Sequence, residues 1–114
     1  MADFMFLFRG GDTQTQRSPE EMQKHLQQWM VWVEKLRTAG TFKAGDPLEG
    51  GGKVVSGTRK LVTDGPFAES KEVVGGYLLV SAKSLDDAVE MSKECPIFAH
   101  GGSVEVRPIQ AMHM

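Results

Sequence analysis

The chain is poor in the features that make a function legible. It has one cysteine, Cys95, so an internal disulfide and a cysteine-based zinc cluster are both excluded. Its 13 Lys and Arg residues against 15 Asp and Glu leave a formal charge of −2, with no basic field to hold a polyanion. Nucleic acid is therefore not an expected partner. No apolar run is long enough to span a bilayer, and Met1-Ala2-Asp3 puts no basic segment ahead of Phe4–Phe8, so neither a membrane span nor a secretory leader is expected. A reducing, cytoplasmic setting fits these absences. Gly50–Gly52 is not followed by Lys-Ser/Thr and Gly10-Gly11 does not continue as a dinucleotide fingerprint, so no cofactor is implied. His100 and His113 lack spaced partners, so no metal is expected and both read as surface residues. Ser56, Ser70 and Ser92 have no nucleophile context.

What remains is an ordinary globular pattern of 114 residues, enough for one domain over 1–114. Phe4-Met5-Phe6-Leu7-Phe8-Arg9 alternates as a strand. Ser18-Pro19-Glu20-Glu21 is a helix start with a capping box and a first-turn proline. The helix should run to about Ala39 and stop at Gly40, with Met22, Leu26, Trp29, Val33 and Leu36 as its core stripe. Thr41–Gly45 reads as a second strand closed by Asp46-Pro47. Lys53–Val55 and Thr58–Val62, flanking Ser56-Gly57, read as a projecting hairpin. Val73–Val80 is the most apolar strand. Its Val74, Leu78 and Val80 are expected on one face and Val73, Tyr77 and Leu79 on the other, with Gly75-Gly76 marking a bulge or a close approach. Ser84–Asp87 opens a second helix that should end near Cys95-Pro96, and Ser103–Ile109 is a last strand before a loose tail.

The order β-α-β, hairpin, β-α-β predicts an α+β domain with a ferredoxin-like antiparallel sheet and two helices on one face. Two helices cover one face only, yet the strands at 4–8 and 73–80 are apolar on both. The simplest cover for the second face is a second copy of the chain, a homodimer.

Asp64-Gly65-Pro66-Phe67, followed by Gly75-Gly76-Tyr77 and by Gly101-Gly102-Ser103-Val104-Glu105-Val106-Arg107-Pro108, resembles the DGPF branch of the YCII-related family of small bacterial proteins. The resemblance covers most of the chain and implies a dimeric α+β barrel with the sheets facing inward. It does not imply a reaction. Shorter members of that family carry a His–Asp pair, but the corresponding positions here are Trp29 and Cys95, so the pair is not carried over. The association of DGPF proteins with alternative sigma factors implies a role as an interaction module in transcription regulation.

The candidate chemical residues each admit a structural reading. Asp64 could hold a turn by accepting amide hydrogens from residues just ahead, with Phe67 anchoring the loop, or it could be a general base or a ligand-orienting carboxylate; the turn reading is preferred. His25 lies on the same side of the helix as Trp29 and Trp32. It is either a catalytic base of a small cofactor-free lyase or hydrolase, or a packed helix-edge residue, and the second is preferred. Arg9 and Arg107 flank Glu105 on one sheet face, where they would form an ion network at a dimer seam, bind a carboxylate or phosphate, or face solvent at an edge; the seam reading is preferred. The ligand-binding set is therefore Arg9, Trp29, Asp64, Phe67 and Arg107, for a small anionic molecule.

Overall fold

The computed structural model describes residues 1–10, 18–65 and 73–111. Its elements are β1 (Ala2–Arg9), α1 (Pro19–Thr38), β2 (Phe42–Pro47), β3 (Lys53–Ser56), β4 (Leu61–Asp64), β5 (Val74–Ala82), α2 (Leu85–Ser92) and β6 (Ser103–Pro108), with a 3-10 turn at Pro96–His100 before β6. The main sheet has the order β2-β5-β1-β6, which is the ferredoxin-like order; β3 and β4 form a separate two-stranded ribbon. The pairs β1–β5, β1–β6 and β2–β5 are all antiparallel.

The helices begin and end where local chemistry directs. The Ser18 hydroxyl accepts from the Glu21 amide at 3.2 Å, and the Ser84 hydroxyl accepts from the Asp87 amide at 3.2 Å. Past the last turn of α1, Gly40 takes φ 79°. This lets the Gly40 amide donate to Arg37 O and the Thr41 amide to Leu36 O, both at 3.0 Å.

The covered face of the sheet is aromatic. Phe4, Phe6 and Phe8 of β1 are buried together with Leu78, Val80 and Ala82 of β5, and Val104 and Val106 pack against them. Trp32 lies over this row, 3% exposed, with its ring 6.2 Å from that of Phe6. Its indole N–H donates to Met91 O of α2 at 3.2 Å, so one side chain ties both helices to the sheet.

The stripe of α1 is offset from the expected one. Leu26 is 60% exposed and Met22 38%, whereas Trp32 and Leu36 are buried and His25, Trp29 and Val33 are partly so. The inward row is thus His25, Trp29, Trp32 and Leu36, at helical spacing. Two further expectations need correction. The ribbon turns through Gly57–Lys60 rather than Ser56-Gly57: Ser56 pairs Leu61, and Gly57 and Lys60 take positive φ. Val74 does not share a face with Leu78 and Val80. The register slips between Phe8 and Arg9, leaving Gly75 as the extra residue and setting Val74 opposite Arg9. Gly76 is needed there, because a Cβ would lie 3.2 Å from Asp46 O and 3.3 Å from the Pro47 Cα. The second helix ends at Ser92, before Cys95, because the chain tightens into the 3-10 turn that Pro96 opens.

The offset stripe has a measurable consequence. Trp32→Ala should lower unfolding free energy in denaturant by about 3–5 kcal/mol, the usual cost of deleting a buried aromatic. Leu26→Ala should cost less than about 0.5 kcal/mol, as for other exposed positions.

Candidate functional site

Two groups of side chains carry polar chemistry, and they stand on opposite faces of the sheet: the first near the end where β1 finishes at Arg9, the second spread along β1 from Asp3 to Arg9. The first is on the helix side. Phe8 meets Trp29 edge-on with 4.9 Å between centroids, and Trp29 meets Trp32 at 5.7 Å. The Trp29 indole N–H donates to His25 Nε2 at 2.7 Å. That bond makes Nε2 the acceptor nitrogen and assigns the ring proton to Nδ1. The His100 ring lies edge-on to His25, 4.5 Å away. His100, expected at the surface on its own, is half-buried and part of this cluster. Sequence spacing gave no signal for it: the 3-10 turn that delivers His100 to α1 is visible only as Pro96 and the paired Gly101-Gly102. Gly102 could not be larger, since a Cβ there would lie 2.4 Å from Ile97 Cγ1.

The second group lies on the open face. Register places Met5 opposite Leu79 and Arg107, and Leu7 opposite Tyr77 and Glu105. Met5, Leu7, Tyr77 and Leu79 are all of intermediate exposure. Around them are ionic groups. Arg9 Nη2 is 3.1 Å from Glu105 Oε1, and Arg107 Nε is 3.8 Å from Glu105 Oε2. The Tyr77 hydroxyl donates to Asp46 Oδ2 at 3.0 Å, and this bond holds the phenol above its ordinary titration range. Asp3 accepts from Lys43 Nζ at 2.8 Å and from the Ser81 hydroxyl at 3.2 Å; the Lys43 bond holds its carboxyl below the usual range. The Asp46–Tyr77 and Asp3–Lys43 pairs were not anticipated. They follow from strand order, which joins residues far apart in the chain.

The remaining candidates are distributed elsewhere. Asp64 ends β4 on the ribbon, with its side chain 86% exposed, and pairs across the ribbon with Lys53. Its bond among the described residues is therefore cross-strand. Pro66 and Phe67 lie outside the described residues. Cys95 is 4% exposed, and burial pushes its thiol up to about 12. Two shallow concave surfaces lie outside the His25 cluster and the Arg9–Glu105–Arg107 row, the second of them next to the Asp3–Lys43–Ser81 set. One is along α1 at Val31, Glu34 and Lys35, and the other is at the opposite end of the sheet beside Thr41, Lys83 and Glu90. Among the described residues no His, Cys, Asp or Glu cluster suits a metal ion, and no helix is long and apolar enough to cross a membrane.

Sheet order, caps and the one-sided helix layer define an α+β domain of the ferredoxin-like class. The chain belongs to the YCII-related family, whose profile matches residues 4–113. A curated relative, an uncharacterised protein of Rhizobium meliloti (strain 1021), is 42% identical over 50 residues, covering 43% of this chain and 40% of the relative. The chain thus matches about two fifths of that relative's length. Among solved structures, the chain is similar to the 5-chloro-2-hydroxyhydroquinone dehydrochlorinase TftG from Burkholderia phenoliruptrix, solved in complex with 2,5-dihydroxybenzoquinone. The TM-score is 0.54 at 14% identity, over 95% of this chain and 93% of that one. At that identity the likeness is one of fold.

Two outcomes test the placement of these residues. Asp64→Ala should change stability by less than about 1 kcal/mol in thermal or denaturant unfolding, as befits an exposed ion pair. Cys95, with its thiol raised from 9.0 to about 12, should hold about a thousandfold less thiolate at pH 8 than an ordinary cysteine. A disulfide reagent should therefore label it only on unfolding; rapid labelling of the native protein would show the thiol to be accessible.

Proposed function

We propose that the protein is a homodimer whose open sheet faces meet and enclose a small, flat, anionic organic molecule. The observation that carries this reading is the makeup of the open face. Met5, Leu7, Tyr77 and Leu79 give it an apolar centre, and Arg107, 68% exposed, stands at its margin with Glu105 beyond hydrogen-bond reach at 3.8 Å. An apolar floor with a guanidinium at its edge suits a ring that bears a carboxylate or an ionised hydroxyl. The complex of TftG with 2,5-dihydroxybenzoquinone supports a ligand of this class, an acidic hydroxyquinone.

Binding is preferred to catalysis because the His25 Nε2 lone pair, which a base would use, already accepts the Trp29 N–H. Asp64 is exposed and ion-paired on the ribbon, and Cys95 holds its proton, so neither offers an alternative base or nucleophile.

Light scattering at micromolar concentration should give about twice the 12.5 kDa chain mass. Titration with 2,5-dihydroxybenzoquinone and with benzoate, followed by calorimetry, should show binding to at least one of them. Arg107→Ala should weaken that binding by about tenfold or more, the worth of a charge-assisted contact. A monomer that binds neither probe would overturn the reading.

A further inference from the structure

The β3–β4 ribbon is the element that the rest of the chain leaves unexplained. Val54, Val55, Leu61 and Val62 are 40%, 61%, 63% and 58% exposed, and no residue of either strand is buried. Val55 and Val62 face each other on one side, and Val54 and Leu61 lie on the other, so both sides are partly apolar. A lone two-stranded ribbon is marginal in water and needs a surface to pack on. The described residues provide none within the chain. The molecule extends 48 Å in its longest dimension, with a radius of gyration of 15.8 Å, against about 13 Å for a compact chain of this size.

We infer that this ribbon is an arm that clasps a second copy of the chain, an inference that rests on the homodimer proposed above. Area argues for it. Four strands about 4.8 Å apart and six residues long present roughly 400 Å² of projected sheet, whereas a stable pair buries about 800 Å² per partner. Accessible area exceeds projected area, so facing sheets alone come at most near that figure, and two reciprocal arms add the exposed apolar surface of Val54, Val55, Leu61 and Val62 to the contact. Charge argues for the same occupant. Lys53, Arg59 and Lys60 against Asp64 give the arm +2, so the rest of the chain carries −4 of the total −2. A basic arm on an acidic body is complementary between copies. In a two-fold dimer each arm is both donor and recipient, so the contact closes and does not propagate.

The test measures dimer dissociation by sedimentation at several concentrations for three proteins: the parent, Val55→Thr/Val62→Thr, and a chain with residues 53–64 replaced by a short Gly-Ser turn. Threonine keeps the strand preference of valine and its shape but removes apolar surface, so the double variant should fold even where the shortened chain does not. The dissociation constant should rise by about tenfold or more in the threonine variant. Hydrogen exchange of the 53–56 and 61–64 amides should be slow in concentrated parent protein and speed up on dilution towards monomer. A parent dimer whose dissociation constant neither variant alters would overturn the arm inference and leave the dimer standing. Arm protection that does not vary with concentration would do the same, since the arm would then cover its own sheet as a lid. A parent that is monomeric throughout would overturn both the arm and the homodimer.

Discussion

The packing of two helices against one face of a four-stranded sheet constrains everything else in this protein. Phe4, Phe6 and Phe8 stand in a row on β1, and Trp32 rests on that row while its indole donates to the end of α2. This single side chain fills the space between the helices and satisfies a carbonyl at the end of one of them. Alternation along β1 then sends Met5, Leu7 and Arg9 to the other face, where the helices cannot reach. The sidedness of the core thus determines that the polar chemistry of Arg9, Glu105, Arg107 and Tyr77 faces outward from the subunit, together with an apolar centre that water covers poorly.

The second constraint is the crowding at one end of the sheet. β1 and β2 finish there, and β5 and β6 begin there. Gly76 and Gly102 sit where a Cβ would strike neighbouring main chain or Ile97. The slip at Gly75 turns Val74 to the face of Arg9, and Gly101, at φ 79°, lets the 3-10 turn end beside β6. These backbone devices bring His100 up against His25. A larger residue at position 102 would move that turn, and the imidazole pair with it.

Much of the fold was legible because local chemistry states it. Ser18 and Ser84 cap as their sequence contexts direct, Gly40 stops α1, and the order of strands and helices leaves the ferredoxin-like sheet as the simplest arrangement. The errors arose where tertiary geometry chose between locally equal options. Leu26 is more apolar than His25, yet the inward row of α1 is the one that points Trp29 and Trp32 at Phe8 and Phe6, and Leu26 is left in water. Register also sets Asp64 across from Lys53, an ion pair that its place before Gly65-Pro66 does not signal. His100 and Asp46 gained their roles from partners 75 and 31 positions away, which no periodicity within an element can register.

The resemblance to shorter YCII-like proteins implies a His on the first helix and an Asp before a proline, and the structure shows what stands at the two corresponding positions. This chain has Trp29 and Cys95 at those places. Trp29 can only donate, and it donates to His25, holding that ring's Nε2 as an acceptor already in use. Cys95 is buried and keeps its proton through the neutral range. The helix side of the sheet end thus carries an indole donor and a buried thiol, and is given over to aromatic packing. Polar groups able to meet a ligand are left on the other face, at Arg107 and its neighbours. That is also the face whose apolar centre the helices leave uncovered, so the proposed ligand and the proposed second subunit would share one surface.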